Sequence, residues 1–545
     1  MVYTKFMRKI LVTSALTYAN GPIHLGHILE QIQTDIWVRW QKLQGNDCIY
    51  IGGDDAHGTP IMISAQKKNI SPEQLIAEIK ASHEQDSADF LVDFDNYYTT
   101  HSPENRELTN IIYEQLQQNG DIETKVIDQA FDEDAKMFLP DRYIKGICPN
   151  CKTPDQHGDN CEHCGATCAP TDLLEPISIL SGKPPVQKTS EHYFFRLDKY
   201  TDQLKAWGQK SLQPEVINKL DEWFTQGLKP WDISRDEPYF GFEIPNKPGK
   251  YFYVWLDAPI GYIASLKNLS TRKKINVDEY WNHDSKTELY HFVGKDIINF
   301  HALFWPAILE SANMRKPTAV FAHGYLTING QKMSKSRGTF ILARDYLKHL
   351  NPEYLRYYFA AKLSSGIDDI DLNFDDFIKR NNSDLVGKVI NIASRLSCFI
   401  NKNFDGMLSS QLDAPELFSE GLKLSEKIGG SYETRNFSHG VRLIMQLADL
   451  ANQYIDEKKP WSLSKQNPND PAIQNICTAG LNIFRLLVIF LKPILPVLAA
   501  NSEKLLQVKP LTWEDRKIPL LSHKINNFEP LMQRIDPKSV EQLLP

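Results

Sequence analysis

The sequence predicts an α/β fold: a parallel sheet, interrupted by a long insertion and followed by an all-α bundle. Three observations carry this reading. Strand-like runs alternate with helical periodicity over residues 9–115 and resume over 251–322, the β-α-β pattern of a parallel sheet. Between them, from about 120 to 235, the alternation breaks, and cysteines cluster with Pro149, Pro154, Pro170, Pro176, Pro184 and Pro185. From about 345 onward the strand signal fades, and residues 376–403, 431–458 and 472–505 carry long helical patterns. A chain of 545 residues exceeds a single core, so three or four domains are expected.

Residues 10–13 form the first predicted strand. The helix after it places Ile28, Ile32, Ile36, Trp40 and Leu43 at helical spacing and stops at Gly45. A second strand over 48–51 is followed by helices around 72–90 and 103–118. Strands resume at 251–255, 288–293 and 319–322. Ligands of such sheets lie beyond the carboxyl ends of the strands. Polar and glycine-bearing segments fall at those ends: residues 16–27, Asp54 and Asp55, Gly294 to Asp296, and His323 with Gly324. In the acidic run Asp368, Asp369, Asp371, Asp375 and Asp376, one of the last two is expected to cap a helix before Phe377 rather than to bind a metal. Residues 409–413 read as a loop between bundle helices. No internal repeat or low-complexity tract is present.

A net charge of −7 announces no global basic surface, though a local one remains compatible with RNA binding. Lys5, Arg8 and Lys9 precede an apolar run too short for an export signal, which flows into Tyr18-Ala19-Asn20-Gly21. The most apolar stretch, 481–500, holds Arg485, Lys492, Pro493 and Pro496. It is expected to be a buried helix ending near Pro493 rather than a membrane span. A cytoplasmic, reducing compartment is therefore expected, with the eight cysteines as thiols or metal ligands.

Cys148-x2-Cys151-x9-Cys161-x2-Cys164 offers two knuckles whose four thiolates suit a tetrahedral zinc. Four soft ligands leave no open position, so the metal is expected to be structural. Two disulfides are the competing reading and fit a reducing compartment poorly. Cys168 breaks the paired pattern. Cys48, Cys398 and Cys477 sit in apolar runs and are expected in the core.

His24-Leu25-Gly26-His27 stands at the head of the first helix, where unpaired N–H groups and the dipole favour a phosphate. The two histidines, three apart, project from adjacent turns. Far along the chain, Lys332-Met333-Ser334-Lys335-Ser336 lies between Gly330 and Gly338 and offers two ammonium groups to a polyphosphate. Together the segments read as an apparatus that binds ATP and splits it between the α- and β-phosphates.

This pairing resembles the HIGH and KMSKS signatures of class I aminoacyl-tRNA synthetases. Ala15 to Gly21, Gly53 to Pro60, Trp255 to Tyr262 and Phe292 to Asp296 are similar to segments of the methionyl-tRNA synthetase family, over about residues 9–500. Thr17 stands where that family usually has proline, which loosens the loop but removes no reacting group. The resemblance implies a Rossmann-like sheet split by a zinc-binding connective insertion, then an all-α anticodon-binding domain. It divides the chain into 1–118 and 236–345 (the two catalytic halves), 119–235 (the insertion), 346–388 (a linking segment) and 389–545 (the anticodon domain).

The reaction it implies joins methionine to ATP, accompanied by Mg, giving methionyl-adenylate and pyrophosphate. The methionyl group then passes to the terminal ribose of tRNA(Met), initiator tRNA included. His24, Gly26, His27, Gly294, Lys295, Asp296, His323 and Lys335 are assigned to ATP. His24, His27, Lys332 and Lys335 are assigned to catalysis at the phosphates. Asp55 is implied as the partner of the α-ammonium. Leu16, Tyr18, Trp255, Ala258, Pro259, Tyr262, Ile297 and His301 are implied around the thioether, and sulfur packs well on aromatic edges. Tyr262 and His301 can also hydrogen-bond it weakly. Asn391, Arg395 and Trp461 are assigned to the anticodon. The first two share a helix face, opposite Val389, Ile392, Ala393, Leu396 and Phe399. Some relatives carry a further dimerising C-terminal domain. The chain stops at Pro545, so a monomer is expected.

Two other readings use the same residues. A nucleotidyltransferase acting on a non-tRNA acid explains His24, His27 and the lysines but gives Asn391, Arg395 and Trp461 no role. A non-enzymatic zinc-knuckle RNA-binding protein explains the cysteines and the bundle but not the split sheet.

Overall fold

In the computed structural model, which describes residues 7–140, 143–157, 163–164, 172–333 and 339–543, alternation begins where the periodicity places it. β1 (Lys9–Ser14), α1 (Leu25–Leu43), β2 (Asp47–Asp55), α2 (Pro72–Asp89), β3 (Asn96–Thr99) and α3 (Pro103–Gln118) follow one another. The insertion rests on two long antiparallel strands, β4 (Ile122–Asp132) and β5 (Val186–Phe195). Three short strands, β6 (Trp231–Asp232), β7 (Ser234–Asp236) and β8 (Lys250–Phe252), lead back to α4 (Val254–Ser270). β9 (Glu288–Gly294) and β10 (Ala319–His323) complete the sheet, and β11 (Leu326–Ile328) and β12 (Gln331–Lys332) follow. The remainder is helical apart from β13 (Ile370–Leu372). It contains α5 (Pro352–Lys362), α6 (Phe374–Arg380), α7 (Asn391–Asn403), α8 (Pro415–Glu433), α9 (Phe437–Lys458), α10 (Pro460–Gln466) and α11 (Pro471–Leu491).

The sheet is parallel, in the order β10-β9-β1-β2, with β3 and the short strand Thr17–Tyr18 both paired to β2. The chain moves outward from β1 to β2 and β3, then returns on the other side as β9 and β10. That reversal opens a crevice at the carboxyl ends of β1 and β9. Period-2 alternation gives each sheet face its own core. Ile10, Val12, Cys48, Tyr50 and Phe292 face α1, while Leu11, Ile49, Ile51, Leu289 and Val293 face α4 and the insertion. The α1 core runs on into the bundle: Trp40 stacks on Tyr432 of α8 at 5.2 Å and meets Trp513 edge-on at 4.7 Å. α11 is apolar enough to cross a membrane, yet 89% of its most apolar window is buried, and it ends at Leu491, just before Pro493.

Several expectations are corrected. The insertion is regular: its polar, cross-strand β4–β5 ladder lacks the apolar alternation that marks a core strand. The predicted strand at 251–255 is divided between the end of a strand and the start of a helix. β8 stops at Phe252 and pairs antiparallel with β7, while Leu256, Ile260 and Ile263 bury one face of α4. The cap of α6 is Asn373, whose side chain accepts the Asp376 N–H at 3.0 Å; Asp376 instead pairs with Lys362 and Arg380. Cys48 and Cys477 are buried, but Cys398 is exposed, off the Ile392–Leu396–Ile400 face of α7. Thr17 belongs to a strand rather than a loop.

Candidate active site

The α1 N-terminus faces the crevice. His24 is its cap: Nδ1 of His24 accepts the Gly26 N–H at 3.0 Å, and Nδ1 of His27 accepts the His24 N–H at 3.3 Å. Each ring therefore carries its proton on Nε2. The rings stack with centroids 3.9 Å apart. Burial, reinforced by His24, holds the His27 imidazole well below its ordinary range, so it donates as a neutral group. Gly26 is required by space: a Cβ there would lie 2.8 Å from the His24 ring and 2.9 Å from Met333.

The opposite wall is Gly294, Asp296 and His323 at the ends of β9 and β10. A Cβ on Gly294 would stand 2.5 Å from Oδ1 of Asp296. Burial pulls the His323 imidazole down, but Glu30, 3.3 Å from its Nε2, holds it above its ordinary value. Glu30 also accepts the Ala15 N–H at 2.8 Å, which ties α1 to the end of β1. Lys295 turns away from the crevice, pairing with Asp369 at 2.6 Å over the Tyr325 ring. Lys332 lines the crevice, and Lys335 lies outside the described residues. Further along, the chain is pinned to α1, where the Leu25 N–H donates to the Ile341 carbonyl at 3.1 Å and Phe340 meets the His24 ring edge-on. The two motifs thus converge.

Three buried carboxylates stand behind this opening. Asp54 is bonded to His83 and Tyr97, and Asp257 to His57, whose Nε2 meets His101 at 2.9 Å. Asp55 has no such ring; its Oδ1, like Oδ2 of Asp54 and Oδ1 of Asp257, is buried with no hydrogen-bond partner among the described residues. Burial and then the charge of Asp257 push its carboxyl well above the carboxylate range. A ligand ammonium would supply the missing partner.

Beside Asp55 lies a small enclosed pocket lined by Leu16, Trp255, Ala258, Pro259, Tyr262, Ile297, Phe300 and His301. Tyr18 lines the larger crevice instead, its hydroxyl over Gly58. Trp255 and Phe300 stack face to face at 3.6 Å and narrow the pocket. Nδ1 of His301 donates to the Ile297 carbonyl at 3.2 Å, so its Nε2 accepts the Tyr262 hydroxyl at 2.9 Å. Burial holds this imidazole down at about 4. The hydroxyl hydrogen is thus engaged with His301 rather than aimed at a thioether.

Sequence reasoning missed Glu30, Phe300 and Arg235. Glu30 is three residues past His27 on α1, a spacing that could have shown it. Arg235 arises from a segment whose periodicity is unreadable. It lines the crevice with its guanidinium 3.7 Å over the Tyr253 ring, and it and Lys332 are the lysine or arginine cations among the described lining residues.

In the insertion, ligand atoms of Cys148, Cys151 and Cys164 lie within 4.8 Å of one another and could hold a metal. The Cys148 and Cys164 sulfurs are 3.8 Å apart, too far for a disulfide. That spacing matches the edge, about 3.8 Å, of a sulfur tetrahedron with metal–sulfur bonds of about 2.3 Å. Cys161 lies outside the described residues.

Comparison with known proteins settles the family. A family model described as tRNA synthetases class I (M) matches residues 10–397, and one for the anticodon binding domain of methionyl tRNA ligase matches 417–531. The chain belongs to the methionyl-tRNA synthetase family. It is an aminoacyl-tRNA ligase that activates methionine with ATP and charges tRNA. The two other readings therefore fall. The fold is similar to that of methionyl-tRNA synthetase from Mycobacterium tuberculosis in complex with methionyl-adenylate. That similarity has a TM-score of 0.80 at 23% identity, over 96% of this chain and 99% of that one. The free-state structure of the same enzyme gives 0.74 at 22% identity, over 97% and 99%.

In the synthetase's helical region, Arg395 lies 4.5 Å over the Trp461 ring and pairs with Asp456 at 3.0 Å. Trp461 is half-buried, its inner edge on the bundle core. Asn391 lines an adjacent groove with Ser394, Phe528 and Met532. The structure brings Arg395 and Trp461 together and sets Asn391 beside them, one turn back on α7.

Proposed function

We propose that methionine is activated in the crevice between α1 and the ends of β1, β2, β9 and β10. The observation that carries this is one crevice lined by the Nε2–H donors of His24 and His27 and by the buried Asp55, with an apolar, aromatic pocket opening beside Asp55. Asp55 holds the α-ammonium, and the pocket of Leu16, Trp255, Ala258, Pro259, Tyr262, Ile297 and His301 takes the side chain. Tyr18 covers the entrance. The methionine carboxylate, already ionised at pH 7, attacks the α-phosphorus of ATP, which brings Mg with it. The bond to the bridging oxygen breaks and pyrophosphate leaves with the electron pair. His24 and His27 donate to oxygens that gain charge in that step, and Lys332 and Lys335 hold the departing pyrophosphate. Preorganised donors of this kind are usually the largest catalytic contribution. Gly294, Asp296 and His323 seat the nucleoside. A ribose hydroxyl of tRNA(Met) then takes the methionyl group and AMP leaves.

Cys161 completes a structural zinc site with Cys148, Cys151 and Cys164; the tetrahedral sulfur spacing supports the metal, and thiolate ligands favour the reducing cytoplasm. Trp461, Arg395 and Asn391 read the anticodon by stacking and base-edge hydrogen bonds. The segments 1–118, 119–235, 236–345, 346–388 and 389–545 divide this work. Amino-acid-dependent ATP–pyrophosphate exchange across all twenty amino acids tests the reading. Exchange with methionine is expected, and exchange driven mainly by another acid would overturn the pocket assignment.

A further inference from the structure

His192 is fully buried on β5, a strand of the insertion, and its bonds reach the segment by which the chain returns to the catalytic half. Nδ1 lies 2.8 Å from Oδ2 of Asp232 on β6, and Nε2 lies 3.0 Å from Oδ2 of Asp236 on β7. The amide nitrogen of Gln129 on β4 lies 2.9 Å from Nε2, so an N–H at Nε2 requires that amide to be turned with its oxygen toward the ring. Asp236 also accepts from Ser190 at 2.8 Å and pairs with Lys250 of β8. The same Oδ2 of Asp232 that meets His192 takes Nη1 of Arg235 at 3.2 Å. Asp232, Arg235 and Asp236 all line the crevice.

The charged groups around the ring are thus Asp232, Asp236, Arg235 and Lys250. Burial pulls the imidazole down, but the two carboxylates outweigh it and hold it above its ordinary value. Burial raises the Asp236 carboxyl, but His192, Lys250 and Ser190 bring it to about 2. One imidazolium between two carboxylates is a charge-assisted bridge, stronger than neutral hydrogen bonds.

We infer that His192 is a positioning residue for adenylation: it clamps Asp232 and thereby aims Arg235 into the crevice. This rests on the crevice being the activation site. His192→Gln replaces Nε2 and reaches Asp236, whereas His192→Asn replaces Nδ1 and keeps the hold on Asp232. His192→Gln should lower kcat of methionine-dependent pyrophosphate exchange about tenfold to a hundredfold. Equilibrium methionine binding should stay unchanged, and His192→Asn should retain more activity. Wild-type exchange should fall on the alkaline side as the imidazolium deprotonates, and His192→Gln should lack that limb. In an Arg235→Ala background the His192→Gln loss should vanish. Additive losses, a shared alkaline limb, or His192→Gln outperforming His192→Asn would overturn the assignment. So would Arg235→Ala without effect, since nothing would then be aimed. Loss of methionine-dependent exchange in the wild type itself would instead overturn the reading of the crevice.

Discussion

The crevice proposed for adenylation and the end of α7 proposed for the anticodon pose opposite problems to similar side chains. In the crevice, Asp55 is buried and His27 partly so, and their titration is displaced far from ordinary values. At the helical end, Arg395 and Trp461 are half-exposed, and Arg395 pairs with the exposed Asp456. Stabilising charge in a transition state needs donors fixed in a low-dielectric site before the reaction begins. Reading an unstacked base needs a flat, wet surface that the base can cover. Burial therefore separates the two kinds of site more cleanly than residue type does.

The largest test of that contrast is Asp55→Ala. An ammonium left without its buried partner should cost methionine activation about a hundredfold to a few thousandfold. Asp54→Asn should act differently, because His83 and Tyr97 both hold Oδ1 of Asp54 inside the protein. Its melting temperature should fall while methionine affinity stays close to wild type. Equal losses of affinity in both variants would erase the distinction between the two acids.

Lys335→Ala should lower adenylate formation by about 10²–10³ with methionine binding retained, because the lysine acts on charge that develops only in the transition state. Pre-steady-state kinetics separates rate from affinity, and a loss lying wholly in methionine affinity would remove that role.

Trp461→Ala should leave pyrophosphate exchange near wild type while charging at limiting tRNA falls about tenfold to a hundredfold, the worth of one base–aromatic stack. Discrimination against a changed anticodon should weaken with it. A parallel loss of exchange, charging and melting temperature would make Trp461 a packing residue.

Cys161→Ser should release the metal and disorder only the insertion's knuckle, since metal binding here is local folding free energy. Elemental analysis finding a full equivalent of zinc in that variant would exclude Cys161 from the site.

The smallest effect concerns pH. Burial holds His301 at about 4, below the ordinary value of about 6.5. The unfolded chain binds this proton first, so the contribution to stability is complete above pH ~6.5 and declines as the pH falls toward 4. His301→Gln should flatten the acid-side slope by about one proton, roughly 1.4 kcal/mol per pH unit. Denaturation midpoints at pH 7 and 5 check it. Identical slopes would mean His301 is not kept neutral.

Much was written locally. The α1 pattern, the histidine pair at its head, the cysteine spacing and the helical C-terminal region follow from contacts within a few residues, or from ligand spacings with few geometric solutions. The strand ends that carry Asp55, Gly294 and His323 follow from the same alternation, because crossovers in a parallel sheet place those ends on one side. What tertiary structure alone decided depends on partners distant in sequence. Asp55 rather than Asp54 faces the crevice because His83 and Tyr97 claim Asp54. Trp255 lies on a helix because α3 and the sheet bury the far side of α4. Arg235 enters the crevice because Asp232, and His192 from the insertion, hold it there. Short-range periodicity reports which face is apolar; only the closed chain determines which buried charge meets a ring and which meets the crevice.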